Sequence, residues 1–110
     1  MQFDNVKELL TIIQKAFQKK QHRLTIHCLE RCIERSITLE EIECAVLSGE
    51  VIEYYPEDKY GPSCLILGYA KNRRPLHIQC SINPVWIVTC YDPSEKKRKW
   101  SKDFRRRIKS

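Results

Sequence analysis

Two strand-like runs lie almost back to back in residues 74–93, RPLHIQCSINPVWIVTCYDP, and this stretch constrains the fold more than any other. In residues 76–82 the apolar side chains occupy the even positions, so His77 and Gln79 lie on the opposite face of a pleated strand. An Asn-Pro pair then turns the chain. Residues 85–91 are so rich in β-branched and aromatic side chains that we expect a central strand covered on both faces. The hairpin therefore predicts a sheet with one polar face that carries His77 and Gln79.

Three helices are predicted before this hairpin. Apolar residues recur at helical spacing over residues 5–20, which open with a capping-box pattern and form an amphipathic helix. A second helix is predicted over residues 27–35. Thr38 and Glu41 form another capping-box pattern, which predicts a third helix over residues 39–47.

Four strands are expected after the helices, over residues 51–55, 64–70, 76–82 and 85–91. Residues 23–26 are extended in character and form either an edge strand or only a connection. The predicted fold class is α+β, with N-terminal helices packed on a mostly antiparallel four-stranded sheet.

The length of 110 residues and an apolar content of 42% suffice for one compact domain over residues 1–110. Within it, residues 1–22 are expected to form a helical extension and residues 95–110 a basic C-terminal segment. No run of about 18 apolar residues is present, and charges stand where a signal peptide would have its apolar segment. We therefore expect a cytoplasmic protein with no membrane partner.

The six cysteines fall inside the predicted helices and strands, and no CxxC pair is present. This placement favours reduced thiols that fill the core. Cys28 and Cys32 could share a metal on one helical turn, but a second pair of ligands is missing from the pattern. No metal and no other cofactor is indicated.

Positive charge is concentrated at the C-terminus. Residues 95–110 contain nine Lys or Arg against two acidic residues, a net charge of +7, while the whole chain carries +6. Such a segment suits a phosphate backbone or an acidic protein surface. The spacing of Trp100, Phe104 and Ile108 predicts a short amphipathic helix there. The expected RNA-binding residues are Lys99, Arg105, Arg106 and Arg107.

The second predicted helix carries His27, Arg31 and Arg35 at intervals of four residues. Side chains at this spacing lie along one stripe and could grip a phosphate. The alternative is a solvated face on which Glu30 and Glu34 screen the positive charge.

Several strings occur together in one order: HxxxRxxxR from residue 27, VIEYYPED, GPSCLILGY, RPLH, and YDP followed by Trp100. Over residues 26–104 the chain resembles the bacterial family called domain of unknown function 4258. The resemblance implies a compact α+β domain related to the RelE and MqsR toxins. These are small basic endoribonucleases neutralised by an antitoxin, and members of this family often neighbour a zinc-binding, MqsA-like antitoxin. Such toxins cut messenger RNA without a metal, on the ribosome or free, by activating the ribose 2′-hydroxyl.

The resemblance assigns a catalytic set to matching positions: His77, Tyr91, His27, Arg31 and Arg35. The reaction needs a base, an acid and positive charge on the developing phosphorane. His77 would serve as base or acid, the two arginines would hold the phosphate, and Tyr91 would orient a base or donate a proton. His27 is either a second acid or base or a packing and capping residue. The hypothesis requires that His77, Arg31 and Arg35 face a common groove.

Purely structural roles are the alternative to these catalytic assignments. A strand histidine is often a hydrogen-bonded structural residue, and Tyr91 could merely anchor its hydroxyl at the sheet edge. The alternative function is a non-enzymatic nucleic-acid- or protein-binding module, in which residues 27–35 and 39–47 imitate a helix-turn-helix. Three glutamates make the third helix acidic, which argues against a DNA reader: Glu40, Glu41 and Glu43.

Overall fold

The computed structural model of the chain describes residues 6–59, 61–95 and 99–108. Its elements, in chain order, are α1 (Val6–Gln18), β1 (Arg23–Leu24), α2 (Ile26–Glu34), α3 (Leu39–Leu47), β2 (Glu50–Tyr55), β3 (Ser63–Tyr69), β4 (Pro75–Ser81), β5 (Trp86–Tyr91) and a 3₁₀ turn (Pro93–Glu95). The α+β class expected from the sequence is confirmed.

The sheet has five strands in the order β1-β5-β4-β3-β2. Strands β2 to β5 form the expected antiparallel meander, while β1 pairs in parallel with β5. The expected number of four strands was therefore one too few. The short segment that the sequence left open becomes a strand because the backbone N–H groups of Arg23 and Thr25 donate to the carbonyls of Val85 and Ile87.

Strand β5 lies inside the sheet, between β1 and β4, but the expectation that it would be covered on both faces was wrong, since four of its six residues are only partly buried. The middle strand of the five is β4, and the most deeply buried strand is β3, of whose seven residues six are buried. Strand β1 spans only two residues, so it pairs only with the start of β5, at Trp86 and Ile87. Beside the end of β5 lies α2, whose Arg35 donates from Nη1 to the carbonyl of Cys90 at 2.7 Å.

Local capping signals place the helices well. Thr38 Oγ1 accepts from the Glu41 backbone N–H at 3.1 Å, and the Glu41 carboxylate accepts from the Thr38 backbone N–H at 2.9 Å. This confirms the capping box and the bounds of α3. Helix α2 starts one residue earlier than expected, because Thr25 caps it through the backbone N–H of Cys28. Asn5, part of the first capping pattern, lies outside the described residues.

The helices cover one face of the sheet and form the core with it. The even-numbered residues of β4 point into this core, as the alternation indicated: Leu76, Ile78 and Cys80 are all fully buried. All six cysteines are free, and all except Cys44 are buried. Among the described residues, no helix is long and apolar enough to cross a membrane.

The C-terminal segment, which we define as residues 99–108, does not form the expected amphipathic helix. It folds back on itself instead: Trp100 pairs antiparallel with Arg107, and the backbone N–H of Ser101 donates to the carbonyl of Arg106 at 2.8 Å. Ile108, expected on the apolar side, is half exposed. The turn places Trp100 and Arg107 side by side over the sheet, which a helix would not allow.

One backbone position holds α3 against β3. A Cβ built on Gly68 would lie 1.9 Å from the carbonyl oxygen of Ala45, so the two backbones are in direct contact there.

We expect Gly68→Ala to lower the free energy of unfolding by at least about 2 kcal/mol, measured by urea denaturation, because backbone must move to admit the methyl group. The exposed Lys71→Ala is the control and should stay within about 0.5 kcal/mol of the parent. An unchanged stability of Gly68→Ala would contradict this packing.

Candidate active site on the polar face of the sheet

His77 lies at the centre of the face opposite the helices, where the C-terminal segment covers it completely. Its Nε2 is 2.8 Å from the carbonyl oxygen of Phe104, and its Nδ1 is 3.1 Å from the hydroxyl of Tyr91. A carbonyl oxygen only accepts, so Nε2 carries the proton and Nδ1 is left to accept from Tyr91. The predicted polar face exists, but its histidine is buried rather than open to solvent.

Burial and aromatic rings keep this imidazole neutral. The Trp100 ring stands edge-on to it at 4.2 Å between centroids, and the Tyr91 ring does the same at 5.2 Å. Burial lowers the pKa of His77, and the bond to Phe104 opposes this only in part. A neutral imidazole with a free lone pair directed at a hydroxyl has the arrangement of a base.

Tyr91 is the partner of His77 both in strand register and in chemistry. The two residues are paired across β4 and β5, which places their side chains on the same face. The Tyr91 side chain is only half buried. Burial raises the pKa of its hydroxyl, while the positive charges of Arg107 and Arg35 act in the opposite direction. Tyr91 is therefore a protonated phenol at neutral pH, flanked by two guanidinium groups.

The three residues of the α2 stripe do not share one environment. Arg35 reaches the end of β5 and affects Tyr91, whereas Arg31 forms an ion pair with Glu34 at 2.9 Å. His27 is exposed and lines a cavity at the opposite end of β5. The expectation that His77, Arg31 and Arg35 face a common groove was wrong. The reason is geometric, because each step of four residues turns about 40° around a helix, so the stripe rotates from solvent toward the sheet.

Two of the four expected RNA-binding residues have carboxylate partners. Arg105 Nε lies 2.6 Å from the Glu50 carboxylate, and Arg107 makes a two-pronged contact with Glu53 at 2.9 and 3.0 Å. Arg107 also lies over the Trp100 ring, 4.7 Å from its centroid. These arginines fasten the C-terminal segment to β2.

The other two expected RNA-binding residues are Lys99 and Arg106. Both are exposed, and neither side chain has a partner within the described residues. Their role in RNA binding stays a prediction.

Sequence reasoning missed Arg74, which joins the site to the helices. Its guanidinium donates to Asp92 at 2.9 Å and to the carbonyls of Ser36 and Arg35 at 2.8 and 3.1 Å. Burial opposes ionisation of Asp92, but hydrogen bonds from Ser94 and Arg74 outweigh it and lower its pKa. The signal was present, since Arg74 opens the RPLH string and Asp92 belongs to YDP.

The buried cysteines form a thiol cluster beneath Arg35. The sulfurs of Cys28 and Cys32 are 4.0 Å apart, and Cys90 hydrogen-bonds to Cys32. Burial raises the pKa of Cys28, and donation to Cys32 raises that of Cys90.

Within residues 6–59, 61–95 and 99–108, no group of three His, Cys, Asp or Glu side chains is placed to hold a metal ion.

The model of one protein family matches residues 24–92, well over half of the chain. The family carries the description "Domain of unknown function (DUF4258)". Searches among curated proteins and among solved structures gave no match. The matched span begins at the second residue of β1, contains β2 to β5 and the His77–Tyr91 pair, and ends before the C-terminal segment.

The ion pair between Glu53 and Arg107 should be measurable as a coupling. We expect Glu53→Arg and Arg107→Glu each to lower stability, and the double variant, which restores opposite charges, to recover about 0.5–1 kcal/mol relative to additivity. Urea denaturation of the four proteins measures this. Additive losses would mean that the pair does not hold the segment.

Acid should destabilise the fold through two histidines whose pKa the fold lowers, the buried His77 and the partly buried His22. Burial lowers the pKa of both His77 and His22, so the unfolded chain takes up protons near pH 6.5 while the folded chain resists until lower pH. The free energy of unfolding should thus fall as the pH drops below 6.5. The slope should be shallower in His77→Gln and in His22→Gln than in the parent. A pH-independent stability between 7 and 5 would rule this out.

Proposed function

Because the chain belongs to the DUF4258 family, whose description assigns no activity, we propose a function from the site itself: a metal-independent endoribonuclease acting as the toxin of a type II toxin–antitoxin pair. The observation that carries the proposal is the hydrogen bond from the Tyr91 hydroxyl to the neutral His77. The proposal includes a relationship to the RelE and MqsR toxins, a cytoplasmic location, messenger RNA as substrate, and a cognate antitoxin of the zinc-binding, MqsA-like type.

The proposed reaction uses protein groups at the end of β5 and one water molecule. The ribose 2′-hydroxyl gives its proton to the Tyr91 oxygen as the Tyr91 proton passes to Nδ1 of His77. The 2′-oxygen bonds to phosphorus, the bond from phosphorus to the 5′-oxygen breaks, and the leaving oxygen takes a proton from water. The hydroxide formed from that water takes a proton from the Tyr91 hydroxyl as Nδ1 of His77 returns its proton to the Tyr91 oxygen, which restores the starting state. The products are a 2′,3′-cyclic phosphate and a 5′-hydroxyl.

Tyr91 is the only member of the pair that solvent reaches, so it is the residue that would touch RNA. His77 acts behind it, and its bond to Phe104 keeps the accepting nitrogen in place. Arg35 is the candidate for stabilising the phosphorane, because it lies beside Tyr91 and carries a fixed charge. Arg31 and His27 have no part in this version of the site.

A non-enzymatic protein-binding module is the second candidate, and the outer face of α2 favours it. Ile26, Leu29 and Ile33 follow one another at helical spacing and are 77%, 46% and 75% exposed. Three exposed aliphatic residues on one stripe are typical of a protein contact. The same stripe would suit an antitoxin, so it does not by itself separate the two functions.

Removing a single oxygen tests the proposed chemistry. We expect Tyr91→Phe to reduce cleavage of single-stranded RNA by roughly 100-fold or more, because the relay then lacks its first acceptor. Product analysis of the parent should show 2′,3′-cyclic ends, and circular dichroism should show that the variant folds. Arg31→Ala, at an exposed ion pair away from Tyr91, is the control and should cleave like the parent. Full activity of Tyr91→Phe, or no RNA cleavage by the parent, would overturn the proposal.

A further inference from the structure

The cavity that His27 lines has a volume of about 630 Å³ and lies at the beginning of β5. Its walls come from the end of β1, the β2–β3 loop and the β4–β5 turn, and they are mostly apolar. The apolar lining includes Ile82, Trp86 and Val88, and the polar side chains of the lining are Thr25, His27, Ser81 and Asn83. A concave, largely apolar space with a small number of polar groups is typical of a small-molecule binding site.

Trp86 supplies an aromatic surface in this cavity. Its backbone N–H donates to Ser81 at 2.9 Å, which fixes the strand at this point, but its indole N–H has no partner among the described residues. Trp86 is only partly buried. The ring therefore offers a face for stacking and a donor for a hydrogen bond.

Basic residues lie near the cavity, although no Lys or Arg is among the described residues that line it. Arg23 pairs with Trp86 in the parallel register of β1 and β5, so both side chains leave the sheet on the same face. Arg23 is exposed and, within the described residues, has no carboxylate partner. Lys15 and Lys19 line a shallower hollow on the other side of the same β4–β5 turn. No acidic residue occurs among the described residues that line the main cavity.

We propose that this cavity binds one base of a single-stranded RNA, stacked on Trp86, with Arg23 on the adjacent phosphate. The inference rests on the proposed ribonuclease function and adds a substrate-binding site to it. Stacking on an aromatic ring accepts any base, while the guanidinium contributes charge attraction. Trp86 and Tyr91 are five residues apart on one strand, roughly 16 Å, so a single strand running along β5 would reach both sites.

Binding of a labelled single-stranded RNA of about ten nucleotides, followed by fluorescence anisotropy, tests the site. Trp86→Ala should raise Kd roughly 5-fold to 150-fold, the loss of one stacked base, whereas Trp86→Phe should retain most of the affinity. Arg23→Ala should raise Kd and make binding less dependent on salt. Lys71→Ala removes the same charge from an exposed site on the β3–β4 turn and should bind like the parent.

A direct signal comes from the tryptophan itself. In a Trp100→Phe background, shown to be folded, Trp86 is the one remaining tryptophan of the two in the sequence. Single-stranded RNA should quench its fluorescence, and the same RNA in a duplex should not, because paired bases cannot enter the cavity. Equal quenching by both forms, or none by either, would overturn the proposal.

The outcomes separate this inference from the proposed function. RNA binding that depends on Trp86, without any cleavage, would support the base-binding site and exclude the nuclease function. RNA cleavage with an unchanged KM in Trp86→Ala and Arg23→Ala would support the nuclease function and exclude the base-binding site.

Discussion

The hydrogen bond from His77 to the carbonyl of Phe104 connects the sheet to the C-terminal segment, and the chemistry of the polar face depends on it. It fixes the proton on Nε2 and so leaves Nδ1 as an acceptor for Tyr91. The segment that provides this carbonyl also places Trp100 over the ring and excludes water. Without that cover, His77 would be a solvated imidazole that gains and loses a proton near neutral pH.

Ion pairs, rather than regular secondary structure, hold the C-terminal segment against the sheet. Arg105 and Arg107 bind Glu50 and Glu53 on β2, and Arg107 covers Trp100. Exposed ion pairs are individually weak, but two of them on one short turn act together with a buried tryptophan. The acidic residues of β2 thus determine where the basic tail lies, and through it the state of His77.

Local signals in the sequence were sufficient where the structure depends on local interactions. The Thr38–Glu41 box defines α3 because both of its bonds join residues three apart. Alternation in β4 placed His77 on the correct face for the same kind of reason. The deeper burial of β3 than of β5 was missed because it depends on pairing across the whole sheet. The C-terminal helix failed because contacts with Glu50 and Glu53, some 55 residues away in sequence, override the local spacing.

The sequence predicted which residues belong to the candidate site better than it predicted how they are arranged. His77 and Tyr91 meet because they are register partners, whereas Arg31 is separated from them by the rotation of a straight helix. The pairing of basic residues with carboxylates also determines which surface is available to a polyanion such as RNA. In the basic tail, Arg105 and Arg107 pair with carboxylates of β2. Arg23 lies beside Trp86 and has no carboxylate partner in the part of the chain that the structure describes, and Lys15 and Lys19 lie across the turn. Unpaired cations attract phosphate more strongly than paired ones. The start of β5, rather than the basic tail alone, is therefore where electrostatics and an aromatic surface coincide.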